Sequence, residues 1–450
     1  MKKQRVMFLL ALMILSVIFA CSSQSEPKNV IIIIGDGAGF NQLQAGSLYL
    51  YGDENALTPH KFPVKLAATT YSMSGAGYKP ALVIENFDYL KEKCTDSAAS
   101  GTALSTGSKT YNGAIGVDTL RQPLKHLFEV AEEKGKSTGV VTSVPLSHAT
   151  PAAFVAHNEN RGNYHEIAEE MIQRSAVDVI IGCGHPFYND DNFPLPEPEY
   201  KYLSQTIWDA VKDGSAGGDA DGDGQADPWT FIESRDDFQK LNEGEAPRRL
   251  IGIPQVASTL QANRTGADGQ TEPFSPPFTD NVPTLAEMSL AAINVLDENP
   301  SGFYLMIEAG AIDWACHANN APRLVEEVID MEKAVQAVVD WIESSSSWEE
   351  TLVVITADHE TGYITGPASG PVEKAASEIE IVYQPLVNNG KGTMPGLEFH
   401  SGGHTNSLVP VYARGAGAQE FAEIASQTDP QRGSYLDNTD IPRVIKTFLE

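Results

Sequence analysis

The 450-residue chain has few cysteines and few basic residues. Its cysteines are far apart at Cys21, Cys94, Cys183 and Cys316. If Cys21 carries a lipid, three cysteines remain, so no disulfide framework is implied. Lysine and arginine number 31 against 60 aspartates and glutamates, which gives a formal charge of −29. A surface this acidic repels nucleic acid and anionic lipid headgroups, so nucleic acid is excluded as a partner.

The N-terminus has a hydrophobic run that is too short to span a bilayer comfortably. The run VMFLLALMILSVIFA follows the basic MKKQR and ends directly before Cys21. This pattern predicts an export signal at 1–20 and a tether at 21–28. The end of the signal resembles a bacterial lipobox, with Phe19 as an unusual residue, so we expect a lipidated Cys21 in the periplasm or cell envelope. A soluble exported protein is the alternative.

Apolar runs and helical patterns alternate along the rest of the chain. The runs are NVIIIIGDG, STGVVTSVPLSH, VDVIIGCGH, GFYLMIEAG, TLVVITADHE and SLVPVYARG. Runs of this kind are typical of strands buried on both faces. Helical patterns cover 122–135, 163–176, 283–297 and 322–343. The alternation predicts an α/β fold with a doubly wound, mostly parallel sheet and helices on both faces.

We expect one catalytic domain over 29–450. Two stretches interrupt the strand pattern, at about 186–282 and 364–398, and the first is rich in proline and acidic residues. Because the strand pattern resumes after the first stretch, both are interpreted as insertions in the same domain.

Polar residues follow several of the predicted strands. They are Asp36, His148, Glu308, Asp358 and His359. In doubly wound folds, ligands bind beyond the carboxyl ends of the strands. These residues therefore predict one site at that edge of the sheet.

Aspartates and histidines in two further segments extend this site. EAGAIDWACH contains Asp313 and His317, which are four residues apart and would lie on one helix face. FHSGGHTN adds His400 and His404. A surface ion pair between Asp313 and His317, or a turn-forming Asp36, are the alternatives. Aspartate and histidine ligands without cysteine pairs favour catalytic zinc, and a zinc pair would stabilise the attacking and leaving oxygens of phosphoryl transfer.

The segment CTDSAASGTALSTGSKT contains the candidate nucleophile, Ser97. Asp96 or Ser97 could instead cap a helix, because short oxygen-bearing side chains bind the free amides of a first turn. A serine hydroxyl needs a base or a metal to become a nucleophile, and the chain has no serine hydrolase elbow. Metals near Ser97 would supply that activation.

Two motifs resemble those of alkaline phosphatases. TDSAASGTALSTGSKTYNG is similar to the family's nucleophile segment, and HATPAAFVAHNENR is similar to the segment with its phosphate-binding arginine. The resemblance extends from Asn29 to about Ile441 and is weakest in the insertions. It implies hydrolysis of small phosphate monoesters through a phosphoserine at Ser97, with Arg161 on the phosphate, at alkaline pH. It also implies a homodimer.

The same resemblance implies a site with three metal ions. It implies Asp313, His317 and His404 for one zinc, Asp36, Asp358 and His359 for a second zinc, and Asp36, Thr150 and Glu308 for a third ion, normally magnesium. The residue types agree with this division, because nitrogen ligands suit zinc and oxygen ligands suit magnesium.

Asp96, His148 and Trp314 are expected to surround these ligands. His148 and Trp314 differ from the best-known bacterial pattern, which has aspartate and lysine there. An imidazole near the third ion favours zinc or cobalt over magnesium. Trp314 removes a cation near the phosphate, which would weaken phosphate binding and speed its release.

The motif DADGDGQAD at 219–227 follows the first part of a calcium loop. Asp219, Asp221, Asp223 and Asp227 would supply oxygens, but position twelve is Thr230 unless Glu233 replaces it. Calcium binding and a solvated acidic loop both remain open.

Other enzyme classes fit less well. EEKGKSTG lacks the upstream glycine and the preceding strand of a phosphate-binding P-loop. Sulfatases need proline and arginine two and four positions after the nucleophile, where this chain has Ala99 and Gly101. A phosphodiesterase of the related metalloenzyme superfamily and an inactive exported metal-binding protein remain the alternatives.

Overall fold

A large β-sheet forms the centre of the molecule. The computed structural model describes residues 26–220, 224–266, 269–374 and 379–449. The strands are β1 (Asn29–Gly35), β2 (Val64–Thr69), β3 (Ser137–Pro145), β4 (Val179–Cys183), β5 (Thr230–Ile232), β6 (Leu250–Gly252), β7 (Phe303–Ala309), β8 (Thr351–Thr356), β9 (Glu360–Thr361), β10 (Ile364–Thr365), β11 (Gly370–Glu373), β12 (Ile379–Val382), β13 (Glu398–Phe399), β14 (His404–Thr405), β15 (Val409–Gly415), β16 (Gln427–Asp429) and β17 (Gly433–Asp437).

The central sheet is mostly parallel. Its eleven strands follow the order β16-β17-β2-β15-β8-β1-β7-β3-β4-β6-β5. The block from β8 to β5 is parallel throughout, whereas β15 runs antiparallel to both of its neighbours. Residues 30–34 of β1 have no exposed surface, as expected for a strand covered on both faces.

Helices connect the strands. They are α1 (Phe40–Tyr51), α2 (Pro80–Glu85), α3 (Ser97–Thr106), α4 (Leu127–Glu133), α5 (Ala149–Val155), α6 (Tyr164–Gln173), α7 (Gln205–Asp213), α8 (Arg235–Leu241), α9 (Leu285–Leu296), α10 (Ala311–His317), α11 (Ala321–Ser345), α12 (Gln419–Ile424) and α13 (Asp440–Leu449), with short 3₁₀ turns at Thr58–Lys61 and Tyr89–Lys91. α1 and α9 both pack on α11, while α3, α4, α5 and α13 pack together as a second group.

The fold class predicted from the sequence is confirmed, with two differences in detail. The last predicted strand, β15, is antiparallel, so its carboxyl end does not point toward the edge where the neighbouring strands end. The stretch 186–282 adds β6 and β5 to the edge of the central sheet, because the short apolar segment of β6 pairs with β4 and β5 pairs with β6. The stretch 364–398 includes β11 and β12, which pair with each other in a separate two-stranded sheet.

Some sequence predictions lie outside the described residues. These are the export signal at 1–20, most of the tether with Cys21, and Asp221 and Asp223 of the acidic loop. Within the described ranges, no helix combines the length and the apolarity needed to cross a membrane.

Candidate active site

Three neighbouring parallel strands bring buried carboxylates to one edge of the sheet. Ile34 of β1 is level with Glu308 of β7 and with Thr356 of β8. Asp36 follows β1, and Asp358 follows β8. All three carboxylates are fully buried. The register of the strands therefore brings these three carboxyl groups to the same edge of the sheet.

Asp36, Asp358 and His359 form the first donor cluster. One donor atom from each lies within 4.8 Å of the other two. His359 Nε2 is 3.2 Å from Asp358 Oδ2 and 3.5 Å from Asp36 Oδ1. Among the described residues, neither oxygen of Asp36 nor Asp358 Oδ2 has a hydrogen-bond partner. Carboxylates buried without partners are costly, and a bound cation would supply the missing interaction.

The pKa values of this cluster reflect its burial. Burial, together with the charge of Asp358, raises the pKa of Asp36 well above its usual value. Burial and the charge of Asp313 raise the pKa of Asp358 to about 8. Without a cation, Asp358 would therefore be mostly protonated at neutral pH.

Asp313, His317 and His404 form a second donor cluster beside the first. His317 lies one turn after Asp313 on α10, and its Nε2 is 3.3 Å from Asp313 Oδ2 and 3.1 Å from His404 Nε2. His317 Nδ1 donates to the Gly402 carbonyl at 2.7 Å, and His404 Nδ1 donates to the Thr95 carbonyl at 2.8 Å. Both Nε2 atoms are thus left to face each other, an arrangement that suits a shared metal ion.

The electrostatics of the second cluster differ from those of the first. Burial would raise the pKa of Asp313, but the hydrogen bond and charge of His317 hold it below its usual value. The same hydrogen bond, which His317 donates and Asp313 accepts, raises the pKa of His317 to about 9. One donor atom each of Asp313, His359 and His404 lies within 4.8 Å, so the two clusters are contiguous.

Ser97 lies at the start of α3 and faces these clusters. It is 2% exposed, and its Oγ is 3.2 Å from His359 Nε2. Asp96 caps the helix by accepting a 3.0 Å hydrogen bond from the Ala99 amide. The helix-cap interpretation of this segment and the nucleophile interpretation are therefore compatible. A helix N-terminus also favours a bound anion.

Small residues allow α3 to approach its neighbours closely. A Cβ on Gly101 would lie 3.0 Å from the Cβ of Ala153 on α5. Ser100 Oγ donates to the Asp358 carbonyl at 2.6 Å, which ties α3 to the end of β8. These contacts hold α3, and with it Ser97, against the two donor clusters.

Asp96 also holds Arg161. The Arg161 Nη1 atom and the Gly113 amide each donate to Asp96 Oδ2 at 3.0 Å. Burial would lower the pKa of Arg161, but the charge of Asp96 outweighs it and raises the pKa. Because Asp96 directly precedes Ser97, this pair holds the Arg161 guanidinium near the N-terminus of α3.

The predicted third-ion residues lie next to this group. The hydroxyls of Thr142 and Thr150 lie beside Glu308, whose pKa is nevertheless raised to about 7 by burial. His148 occupies the N-cap position of the neighbouring α5, and its Nε2 is 3.5 Å from Arg161 Nη2. Burial and the charge of Arg161 lower the pKa of His148 to about 3. Its ring packs at 5.6 Å against the ring of Trp314.

Two sequence-selected features are separate from this site. His400 Nε2 is 2.7 Å from Thr365 Oγ1, and the ring packs against Phe87. In the acidic loop, Asp227 pairs with Arg248 at 2.8 Å, while Asp219 accepts from the Gly224 amide at 2.8 Å. Glu233, the suggested replacement at position twelve, pairs instead with His185 at 3.1 Å and with Lys212 at 3.3 Å.

Sequence reasoning missed Thr361. Its Oγ1 donates to Asp313 Oδ1 at 2.6 Å and lies 3.2 Å from His359 Nδ1, so it touches one member of each cluster. Its position two residues after His359, in TADHETG, was the available signal.

Comparison with known proteins identifies the family to which the chain belongs. The model of the alkaline phosphatase family matches residues 27–393. The chain belongs to the alkaline phosphatase family. It is 29% identical to alkaline phosphatase 4 of Bacillus subtilis (strain 168), covering 90% of this chain and 87% of that protein. It is also 29% identical to the alkaline phosphatase of Escherichia coli (strain K12), covering 90% and 85%.

Solved alkaline phosphatases share the fold. The enzyme from the Antarctic bacterium TAB5 is 25% identical, with a TM-score of 0.62 over 95% of this chain and 99% of that chain. The cold-active enzyme from Shewanella sp. has a TM-score of 0.65 at 24% identity, over 94% and 100%. A histidine-to-aspartate mutant of the TAB5 alkaline phosphatase has magnesium bound in its M3 site. The alkaline phosphatase family is metal-dependent. The chain described here is a phosphoric monoester hydrolase of that family.

Proposed function

We propose that the protein hydrolyses phosphate monoesters through a phosphoserine at Ser97 and works best at alkaline pH. The 3.2 Å contact between Ser97 Oγ and His359 Nε2 carries this proposal, because it puts the hydroxyl against the buried donor clusters. Ser97 attacks phosphorus, the ester oxygen leaves as the alcohol, and water then releases inorganic phosphate from the serine. Arg161, held by Asp96, binds the phosphate oxygens through its planar guanidinium.

Two zinc ions fit the donor clusters. We assign Asp313, His317 and His404 to one zinc, and Asp36, Asp358 and His359 to the other. The support is the partnerless oxygens of Asp36 and the facing Nε2 atoms of His317 and His404. When bound, zinc would favour ionisation of the serine and of water and would stabilise negative charge on the attacking and leaving oxygens.

A third ion fits Asp36, Thr150 and Glu308. Magnesium is the ordinary ion for oxygen donors, and it is bound in the M3 site of the TAB5 mutant in which aspartate replaces a histidine. His148 lies beside Arg161 here, so we propose that zinc or cobalt competes with magnesium at this position. The test compares the metal content of the wild type with that of His148→Asp, which should bind more magnesium at this position. The same magnesium content in both proteins would contradict the proposal.

The direct test compares phosphate release from a simple aryl phosphate by wild type and Ser97→Ala after matched zinc and magnesium loading. We expect activity to collapse in Ser97→Ala while its metals are retained. Ser108→Ala is the matched control, because Ser108 follows the other end of α3, about 15 Å away. It should keep wild-type activity.

Three outcomes would count against the proposal. Wild-type turnover by Ser97→Ala would exclude Ser97 as the nucleophile. Turnover of a bis-aryl phosphate with none of the monoester would favour a phosphodiesterase. No turnover by a metal-loaded wild type would favour an exported metal-binding protein.

We further propose that residues 29–450 form one catalytic domain and that the signal at 1–20 directs export. Cys21 would attach the protein to the cell envelope. We also propose that the protein is a homodimer. Mass spectrometry of the mature N-terminus and light scattering of the purified protein test these points. Calcium binding at 219–227 is a separate proposal, and the pairing of Asp227 with Arg248 favours the acidic loop instead. A calcium titration of wild type and Asp219→Asn decides between them.

A further inference from the structure

A group of nitrogen and carboxylate donors lies outside the phosphatase site. His126 caps α4, Glu129 lies in its first turn, and His157 follows α5. His126 Nδ1 is 3.6 Å from Glu129 Oε2, and His157 Nε2 is 4.0 Å from the same oxygen. We propose that these three side chains bind a divalent transition-metal ion of the zinc type.

The state of His126 is the first support. The residue is 1% exposed, and within the described part of the chain neither of its ring nitrogens has a hydrogen-bond partner. Buried polar atoms are almost always paired, so a partnerless imidazole in a folded core calls for a ligand. Burial keeps the imidazole neutral, which is the form that binds metals.

The orientation of His157 is the second support. Its Nδ1 is 3.1 Å from Glu170 Oε1, which also accepts from the His157 amide at 2.9 Å. A carboxylate on one ring nitrogen is the usual arrangement behind a metal-binding histidine, because it directs the other nitrogen to the ion. That other nitrogen, Nε2, donates to the Leu124 carbonyl at 2.9 Å, a hydrogen bond that it would exchange for the ion.

The donor spacing agrees with a shared ion. Zinc bonds of about 2.0–2.2 Å separate the donors of one ion by roughly 3 to 4 Å. The measured separations of 3.6 and 4.0 Å from Glu129 Oε2 lie in that range. The two imidazole rings are stacked, with centroids 4.2 Å apart and planes at 19°, so both must tilt to point at one ion. An adjoining cavity of about 370 Å³ leaves room for this tilt and for water.

Such an ion would connect α4 to the segment that leads to Arg161. His157 is four residues before Arg161, and the Ile115–Asn158 bridge lies between them. The ion would therefore stabilise the support of the phosphate-binding arginine without touching the substrate. Two imidazoles and one carboxylate favour zinc, cobalt or nickel over magnesium or calcium.

The test measures zinc per chain by equilibrium dialysis at buffered nanomolar free zinc. The proteins are the wild type, His126→Asn and Glu133→Gln. Asparagine is favourable at the N-cap position that His126 occupies, and Glu133 lies on the same helix outside the cluster. We expect His126→Asn to bind one zinc fewer per chain and to keep kcat within about twofold, with Glu133→Gln like wild type. Equal zinc in all three proteins would overturn the proposal.

A second measurement uses the wild type alone and applies even if His126→Asn fails to fold. Crystals grown with zinc and measured at the zinc absorption edge should show an anomalous peak within bonding distance of His126 Nδ1, His157 Nε2 and Glu129. Peaks at Asp36 and Asp313 with none at His126 would overturn the proposal. Because the readout is metal position, the result is independent of whether Ser97 is the nucleophile.

Discussion

At the scale of single residues, Thr361 connects the two donor clusters. Its hydroxyl has one proton, which it donates to Asp313 Oδ1. It can then only accept from His359 Nδ1, which leaves His359 Nε2 without a proton and directed at Ser97. One uncharged side chain therefore sets the orientation of a member of each cluster.

Removing this hydroxyl should weaken metal binding. For Thr361→Val, we expect a 10- to 100-fold loss of zinc affinity, the typical cost of losing a partner behind a metal ligand. Activity during titration with a chelator measures this loss. Thr361→Ser keeps the hydroxyl and should restore most of the affinity. Equal chelator sensitivity of Thr361→Val and wild type would show that the hydroxyl does not position the ligands.

At the scale of elements, the turn after β1 shows how a strand end forms a site. Gly37 has a φ of +70°, and a Cβ there would lie 2.9 Å from the Cα of Asp313. Its amide donates to Asp358 Oδ1 at 3.1 Å. Glycine is needed at this position both for the backbone conformation and for the close approach of α10.

Gly37→Ala should destabilise the protein more than an alanine at another glycine that has a similar positive φ but no close neighbour. Gly135 has a φ of +73° with nothing within 4 Å, so Gly135→Ala is the matched control. We expect a loss of about 1–2 kcal/mol in unfolding free energy for the control and a larger loss, with reduced zinc content, for Gly37→Ala. Urea unfolding and metal analysis measure both. Equal losses would mean that the close contact with Asp313 is not tight.

The elements also show what the sequence could predict. Long apolar runs predicted β1, β3, β4, β7 and β8, because a buried parallel strand needs little beyond apolar length. Periodicity does not encode strand direction, so the antiparallel course of β15 could not be predicted. The strand β2 was missed, because the charged Lys65 interrupts the apolar run of Val64–Thr69.

Site residues divide in the same way. Those at strand ends, such as Asp36 and Asp358, could be predicted from their position in the chain. Thr361 and the His126–His157 pair could not, because their contacts depend on how distant segments pack and threonine is ordinary in any sequence. Local motifs predict which residues are present at a site, while tertiary packing decides which of them meet.

At the scale of the whole molecule, the buried acids make metal binding part of folding. In the metal-free protein, burial raises the pKa of Asp358 to about 8 and that of Glu308 to about 7. Unfolded carboxyls titrate near 4. Between about pH 4 and 8 these two carboxyls therefore bind more protons in the folded state than in the unfolded state, so their contribution to stability falls as pH rises. Below about pH 6.5 the lowered pKa of the buried His148 acts in the opposite direction.

We accordingly expect the temperature at the midpoint of thermal unfolding of the chelated protein to decrease as pH rises from about 6.5 to 8, above the range in which histidines titrate in the unfolded chain. Zinc and magnesium should remove most of this dependence, because bound cations replace the protons on these carboxylates. Calorimetry at matched ionic strength measures both forms. A metal-free protein whose stability rises over this range would contradict the electrostatic description of the site.

The most direct measurement traps the enzyme during turnover. The wild type is mixed with an excess of aryl phosphate, quenched in acid, digested and examined by mass spectrometry. We predict phosphate on Ser97, absent before substrate is added and after it is consumed. Full turnover with phosphate on another residue, or with no phosphorylated residue in rapidly quenched samples, would contradict the assignment of Ser97 as the nucleophile.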